Sequence, residues 1–222
     1  METKKNTFSP DAVIFDMDGL MLDTERVIVP VWGRAGEILG YNISQDVILK
    51  MVGISSENAR VVMLDEFGGD FPYDQLREKA RGLYKKEFEE NGIPHKKGLI
   101  CLLDHLAAAK IPLAVATSTR KATALEMLRM AGIVERFTAI VGGDEVVNGK
   151  PAPDIFLLAA EKLGQPPSAC IGFEDSPAGL KGLCAAGIRS VFIKDLIEPP
   201  REVLTTVWRR FDDLSEAVQL FV

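Results

Sequence analysis

The sequence specifies a doubly wound α/β fold, a parallel sheet covered by helices on both faces, into which an all-helical segment is inserted. Three observations lead there. Short apolar runs rich in β-branched and aromatic residues stop abruptly at polar residues, as buried parallel strands do. From residue 98 onward such runs alternate with helix-length segments. Residues 25–93 break that rhythm and read as helical throughout.

In chain order, Ala12-Val13-Ile14-Phe15 is the first strand, ending at Asp16. Val27, Val31, Ala35 and Ile38 then recur at helical spacing, and Ser44 is placed to cap a helix reaching Met51. Ser56 opens a third helix to Phe67, and Leu76, Ala80, Leu83 and Phe88 form the apolar stripe of a fourth. Trp32 and Met63 belong to the core of this helical block. Helices are expected over 98–109, 122–131, 154–163 and 178–186, and strands over 113–116, 170–173 and 190–193, with a weaker strand at 138–141. Gly132, Gly164 and Gly187 stand where the last three helices should be closed by a C′ glycine. The helical block falls between the first strand and its following helix, so the expected division is an α/β core of residues 1–24 and 94–222 and a helical cap of residues 25–93. The tethers, residues 23–26 and 91–98, are expected to act as hinges.

The chain has 222 residues, 47% hydrophobic and 26% charged, the balance of a soluble globular protein. Its 26 Lys+Arg against 32 Asp+Glu give a net charge of −6, so no overall positive field favours nucleic acid or anionic lipid. The longest stretch without a charged residue runs only from Leu163 to Phe173, well short of the roughly 18 apolar residues of a membrane span. Residues 1–10 are polar and lack a signal-peptide core. A cytoplasmic protein with neither nucleic-acid nor membrane partner, working as a monomer, is expected. Cys101, Cys170 and Cys184 form no metal-binding spacing and are expected to be reduced and buried.

In an open parallel sheet, ligands bind beyond the carboxyl ends of the strands. Those ends carry Asp16-Met17-Asp18-Gly19, Thr117-Ser118-Thr119-Arg120 and Glu174-Asp175-Ser176, with Asn148-Gly149-Lys150-Pro151 before the helix at Asp154. Asp16 and Asp18 would repel each other unless a cation or proton separated them. Glu174 and Asp175 add hard oxygen ligands of the kind Mg²⁺ takes. A carboxylate nucleophile approaching a phosphate dianion needs a metal ion and a lysine to offset their repulsion, and Lys150 supplies the second. The Thr117 hydroxyl and Ser118 amide can hold phosphoryl oxygens. Singly, each cluster is explained as a loop, a turn or a helix cap; their joint position at the strand ends favours one site.

These residues resemble the haloacid dehalogenase superfamily of phosphohydrolases, in the branch with a helical cap that includes β-phosphoglucomutase and many small-sugar phosphatases. The likeness rests on Val13-Ile14-Phe15-Asp16-Met17-Asp18-Gly19, Ala116-Thr117-Ser118, Gly149-Lys150-Pro151-Ala152-Pro153-Asp154 and Gly172-Phe173-Glu174-Asp175-Ser176, in that order. It implies that Asp16 is the nucleophile forming an aspartyl-phosphate and that Asp18 is the general acid and then base. It implies Mg²⁺ held by Asp16, the Asp18 carbonyl and Asp175, with Glu174 close by, and a phosphoryl group held by Thr117, Ser118 and Lys150. The presence of Asp18 argues against the dehalogenases of the same superfamily.

The helical segment departs from the mutase pattern. Ile28 stands where the mutase has a histidine after its Asp-Thr pair, and Ser56 follows Gly53-Ile54-Ser55 where a cap arginine is expected, with Arg60 one turn later. Hydrolysis of a small phosphate monoester, a sugar phosphate or nucleoside monophosphate, is therefore preferred to phosphomutase chemistry. A phospho-accepting receiver module uses similar groups but is about half this length and lacks a cap. Arg120 and Glu25 are candidate contacts to the non-reacting end of the substrate. His95, Lys96 and Lys97 form a basic cluster expected to face solvent.

Overall fold

The computed structural model describes residues 8–51, 56–196 and 198–221. The chain divides into two compact units, Met1–Leu22 with His95–Val222, and Asp23–Pro94.

The larger unit is built on six parallel strands: β1 (Ala12–Phe15), β2 (Leu113–Ala116), β3 (Ala139–Val141), β4 (Cys170–Glu174), β5 (Arg189–Ile193) and β6 (Arg209–Phe211). Their spatial order is β3-β2-β1-β4-β5-β6. The winding runs outward from β1 through β2 to β3, then restarts at β4 on the other side of β1, so the switch point lies at the carboxyl end of β1. β1 and β2 are fully apolar and buried because both faces of the sheet are covered.

Side chains alternate along β1. Ala12 and Ile14 join a core with Ala114, Val141, Ile155, Phe156, Ala159 and Leu183. This is the face covered by α7 (Asp154–Lys162) and α8 (Pro177–Ala185). Phe15 turns to the opposite face and stacks on Phe173 at 5.0 Å. That face continues through Phe221 to His105 on α5 (Leu99–Ala108). Between β2 and β3 lies α6 (Lys121–Met130), with Ala124 and Leu128 buried. Gly132, Gly164 and Gly187 follow their helices with φ of 70°, 67° and 71°, a conformation that costs a side-chain-bearing residue more.

Among the elements that lie outside the sequence expectation are α9 (Arg201–Leu204) and β6. β6 is an edge strand of sequence Arg-Arg-Phe, exposed at both arginines, so it lacks the apolar run that marks a buried strand. The cysteines also differ from expectation. All three are free, but only Cys170 is buried. Cys101 and Cys184 lie on the solvent faces of α5 and α8, where helical periodicity rather than residue type sets exposure.

The smaller unit contains α1 (Glu25–Ile38), α2 (Gln45–Leu49), α3 (Ser56–Phe67) and α4 (Tyr73–Asn91). Ser44 caps α2 by accepting from the Val47 N–H at 3.4 Å. Val31, Ala35, Ile43, Met63, Leu76 and Ala80 form its core, and Trp32 stacks at 6.3 Å on Tyr73. Arg60 is paired with Asp74 and lies 5.4 Å from the Tyr73 ring centroid. Its guanidinium is thus engaged within the helical unit. Residues 53–55 lie outside the described residues. No described helix is long and apolar enough to cross a membrane.

Candidate active site

The register of the three central strands assembles the site. Phe15 pairs with Val115 of β2 and Phe173 of β4, so the residues that follow emerge together at one edge. Asp16 is fixed there by its N–H to the Phe173 carbonyl at 3.0 Å, and Thr117 by its N–H to the Val141 carbonyl at 3.1 Å. Residues 17–22 turn tightly, with the Met21 and Leu22 N–H groups both donating to the Met17 carbonyl at 3.0 Å. Met17, Leu20, Met21 and Leu22 are buried beneath this turn.

Asp16, Thr117, Glu174 and Asp175 are all buried. Lys150 reaches them from the loop before α7, with its side chain 5% exposed. Its ammonium is paired with Asp16, lies 2.5 Å from Glu174 Oε1 and stands 4.9 Å from the Phe156 ring centroid. One carboxylate oxygen from each of Asp16, Glu174 and Asp175 lies within 4.8 Å of the others.

Glu174 is held on both of its oxygens. Its Oε2 accepts from the Asp175 N–H at 3.1 Å, the Ser176 N–H at 3.0 Å and the Ser176 hydroxyl at 2.9 Å. Ser176 caps α8 by accepting from the Gly179 N–H at 3.0 Å. Gly179 is required here because a Cβ would overlap the Glu174 carboxylate. Glu174 therefore lies against the first turn of α8, where the helix dipole favours negative charge. It holds Lys150 on one oxygen and the Asp175 backbone on the other.

The electrostatics follow from burial. Burial pushes the Asp16 carboxyl up to about 8, against the Lys150 ammonium, with Glu174 and Asp18 adding to the upward push. Burial alone would lower Lys150, but Asp16 and Glu174 outweigh it and hold the ammonium above its ordinary range. One cation thus faces three buried carboxyls, and ionised Asp16 needs more positive charge than Lys150 supplies. An all-oxygen donor set with excess negative charge fits a small hard divalent cation. At Gly19, a Cβ would come within 2.5 Å of Asp175 Oδ2, so a side chain here would intrude on the same group.

Asp18 stands beside this cluster and receives Thr119 Oγ1 at 2.8 Å and Thr117 Oγ1 at 3.4 Å on its Oδ2. Thr119 was not singled out from the sequence, where Thr-Ser-Thr before a helix reads as an N-cap. Ser118 and Arg120 are exposed at the turn into α6. The Arg120 side chain is 82% exposed and lies 4.0 Å from Asp144. The side chain of Glu25 lies outside the described residues.

The basic cluster on the second linker departs from the solvent role expected of it. The Lys96 side chain is 16% exposed and paired with Asp195, while a His95 ring nitrogen lies 2.8 Å from the Ala131 carbonyl. His95 bridges Leu22 and the Lys96 N–H donates to the Met21 carbonyl, which presses this linker against the turn after β1. Only Lys97 stays exposed, 2.7 Å from Asp213.

A family profile of haloacid dehalogenase-like hydrolases matches residues 13–193, from the first strand to the end of β5. The chain belongs to this family. Among relatives of this hydrolase is a phosphorylated carbohydrates phosphatase of Thermotoga maritima, 31% identical over 182 residues, 82% of this chain and 84% of the relative. The β-phosphoglucomutase of Bacillus subtilis is 32% identical over 187 residues, 81% of each chain. The crystal structure of β-phosphoglucomutase from Clostridium difficile superposes with a TM-score of 0.74 at 25% identity, covering 94% of this hydrolase and 93% of that chain.

Proposed function

We propose that this hydrolase is a Mg²⁺-dependent phosphatase that cleaves a small phosphate monoester, a sugar phosphate or nucleoside monophosphate, through an aspartyl-phosphate. The observation that carries the reading is the buried Asp16 carboxylate facing Lys150, with Glu174 and Asp175 within 4.8 Å. Residues 1–24 with 94–222 are assigned the chemistry, and residues 25–93 the choice of substrate.

Asp16 attacks phosphorus, forming an O–P bond as the bond to the leaving alcohol breaks, and Asp18 gives its proton to the departing oxygen. Asp18 then takes a proton from water as the water oxygen attacks phosphorus, and the bond to Asp16 breaks to release inorganic phosphate. Lys150, the Thr117 hydroxyl and the Ser118 N–H hold the phosphoryl oxygens through both steps. Asp16, the Asp18 carbonyl and Asp175 would hold Mg²⁺, and Glu174 orients Asp175 through the backbone bond at 3.1 Å. When bound, the ion offsets the charge of the phosphate against the carboxylates. Arg120, exposed at the start of α6, is assigned the non-reacting end of the substrate.

Phosphomutase chemistry is the second reading, because a relative bears that name and the same aspartyl-phosphate serves both reactions. Against it stand Ile28 and Ser56, where the mutase pattern has a histidine and an arginine, and the engagement of Arg60 by Asp74. The deciding experiment measures phosphate release from about a hundred phosphate monoesters with and without Mg²⁺. Release is expected for small sugar or nucleoside monophosphates, falling at least about a thousandfold in Asp16→Asn. Full activity in that variant or in chelator would refute the phosphatase. A bisphosphate requirement with isomerised product by phosphorus NMR would select the mutase.

A further inference from the structure

Asp18 shares its oxygen Oδ2 between two hydroxyls, and only one of them is able to serve it throughout a turnover. Thr119 Oγ1 donates at 2.8 Å and Thr117 Oγ1 at the longer 3.4 Å. A hydroxyl carries one proton and so donates to one acceptor at a time. On the phosphatase reading, the Thr117 proton turns to a phosphoryl oxygen when substrate binds, and its contact with Asp18 is given up. We propose that Thr119 is the positioning residue that keeps the Asp18 carboxyl aimed at the leaving oxygen, and that it sets the Thr117 hydroxyl as well.

The second half of the proposal comes from the backbone. The Thr119 N–H donates to Thr117 Oγ1 at 3.0 Å, filling that oxygen's acceptor side and directing its proton away. Thr119 therefore contacts two of the groups assigned to the reacting ester, Thr117 through its amide and Asp18 through its side chain. It is itself braced, since its carbonyl accepts from the Gly143 N–H at 3.0 Å. The same 142–145 turn holds the next residues, with Asp144 Oδ1 accepting from the Lys121 N–H at 2.7 Å and Glu145 3.0 Å from the Lys121 ammonium. A hydroxyl also suits this post because it donates to Oδ2 whether or not the other carboxyl oxygen carries a proton, so the contact lasts through both proton transfers.

This inference rests on the phosphatase reading for its kinetic arm and on geometry alone for its structural arm. kcat/KM is measured for Mg²⁺-loaded wild type, Thr119→Val and Thr119→Ser across a series from p-nitrophenyl phosphate to simple alkyl phosphates. Thr119→Val is expected to lose about tenfold or more with alkyl esters, whose leaving oxygen needs a proton, and under about threefold with the nitrophenyl ester, whose leaving oxygen does not. Thr119→Ser is expected to restore most of the loss. An equal loss across the series, or none, would overturn the proposal. In the crystal structure of Thr119→Val, with Thr119→Ala as the alternative if valine perturbs folding, the Asp18 carboxyl is expected to leave its wild-type position. An unchanged Asp18 rotamer would overturn the proposal even if wild type cleaved no ester, an outcome that would separately refute the phosphatase.

Discussion

Lys150 and Glu174 form a buried ion pair, the ammonium 2.5 Å from Oε1, with the lysine side chain 5% exposed and the glutamate side chain fully covered. Removing either partner leaves the other short of opposite charge in a desolvated site. Lys150→Met is therefore expected to destabilise the fold by about 3–5 kcal/mol as well as to abolish turnover. Urea denaturation measures the first effect. The double variant with Glu174→Gln should lose less than the sum of the two singles, since both act on one pair. A loss below about 1 kcal/mol in Lys150→Met would show that the pair is dispensable.

Chelator-treated protein should gain stability on adding Mg²⁺, because a ligand of the folded state alone stabilises by about 2.7 kcal/mol at a hundred times its Kd. Asp175 is one of three carboxyls whose oxygens fall within 4.8 Å. Asp175→Asn should lose most of the Mg²⁺-induced rise in Tm while keeping the metal-free Tm close to wild type. An undiminished rise would place the ion elsewhere.

Gly179 leaves room for the Glu174 carboxylate at the start of α8. Gly179→Ala should cost about 1–3 kcal/mol, the usual range for overpacking, despite alanine's better helix propensity. It should also weaken Mg²⁺ binding, because Glu174 orients the Asp175 backbone. Calorimetric Mg²⁺ titration on the folded variant reads the second effect. A variant more stable than wild type would contradict the packing described.

Glu145 ties the turn below Thr119 to two helices, 2.7 Å from Lys162 and 3.0 Å from Lys121. Burial alone would raise its carboxyl, but Lys162, the Gly142 N–H and Lys121 outweigh it and hold it at about 2. A carboxyl depressed in the folded state contributes stability above its ordinary value of 4.5 and loses it as pH falls towards 2. Glu145→Gln should cost about 1 kcal/mol at pH 7, modest because such partly solvated pairs are screened. The difference from wild type should shrink between pH 4.5 and 2. A difference independent of pH over that interval would assign the effect to packing instead of charge.

Much of the architecture was legible because its signals are local. The apolar run of β1 ends at Asp16 in the structure as in the pattern, and Gly132, Gly164 and Gly187 adopt the positive φ that a helix stop requires. The clusters at Asp16, Thr117, Lys150 and Glu174 were findable for the same reason, since each marks the end of a strand or the start of a helix. β6 escaped because Arg209-Arg210-Phe211 carries too little apolar pattern, and an edge strand needs little. Cys101 and Cys184 are exposed because helical phase, not residue type, sets which side of α5 and α8 they occupy.

The division of labour inside the site belongs to the tertiary structure alone. Glu174 and Asp175 are neighbours of equal charge and share the oxygen cluster with Asp16, yet only Glu174 also pairs with Lys150 and accepts from the Ser176 hydroxyl that caps α8. Thr119 looked like a helix cap, and only the pairing of β1 with β2 brings its hydroxyl 2.8 Å from Asp18. Chain-local chemistry settles which groups stand at a strand end, because strand and helix boundaries follow from neighbours a few residues away. Which of those groups meet, across about a hundred residues, is settled by strand register and burial, whose energy comes from the assembled core.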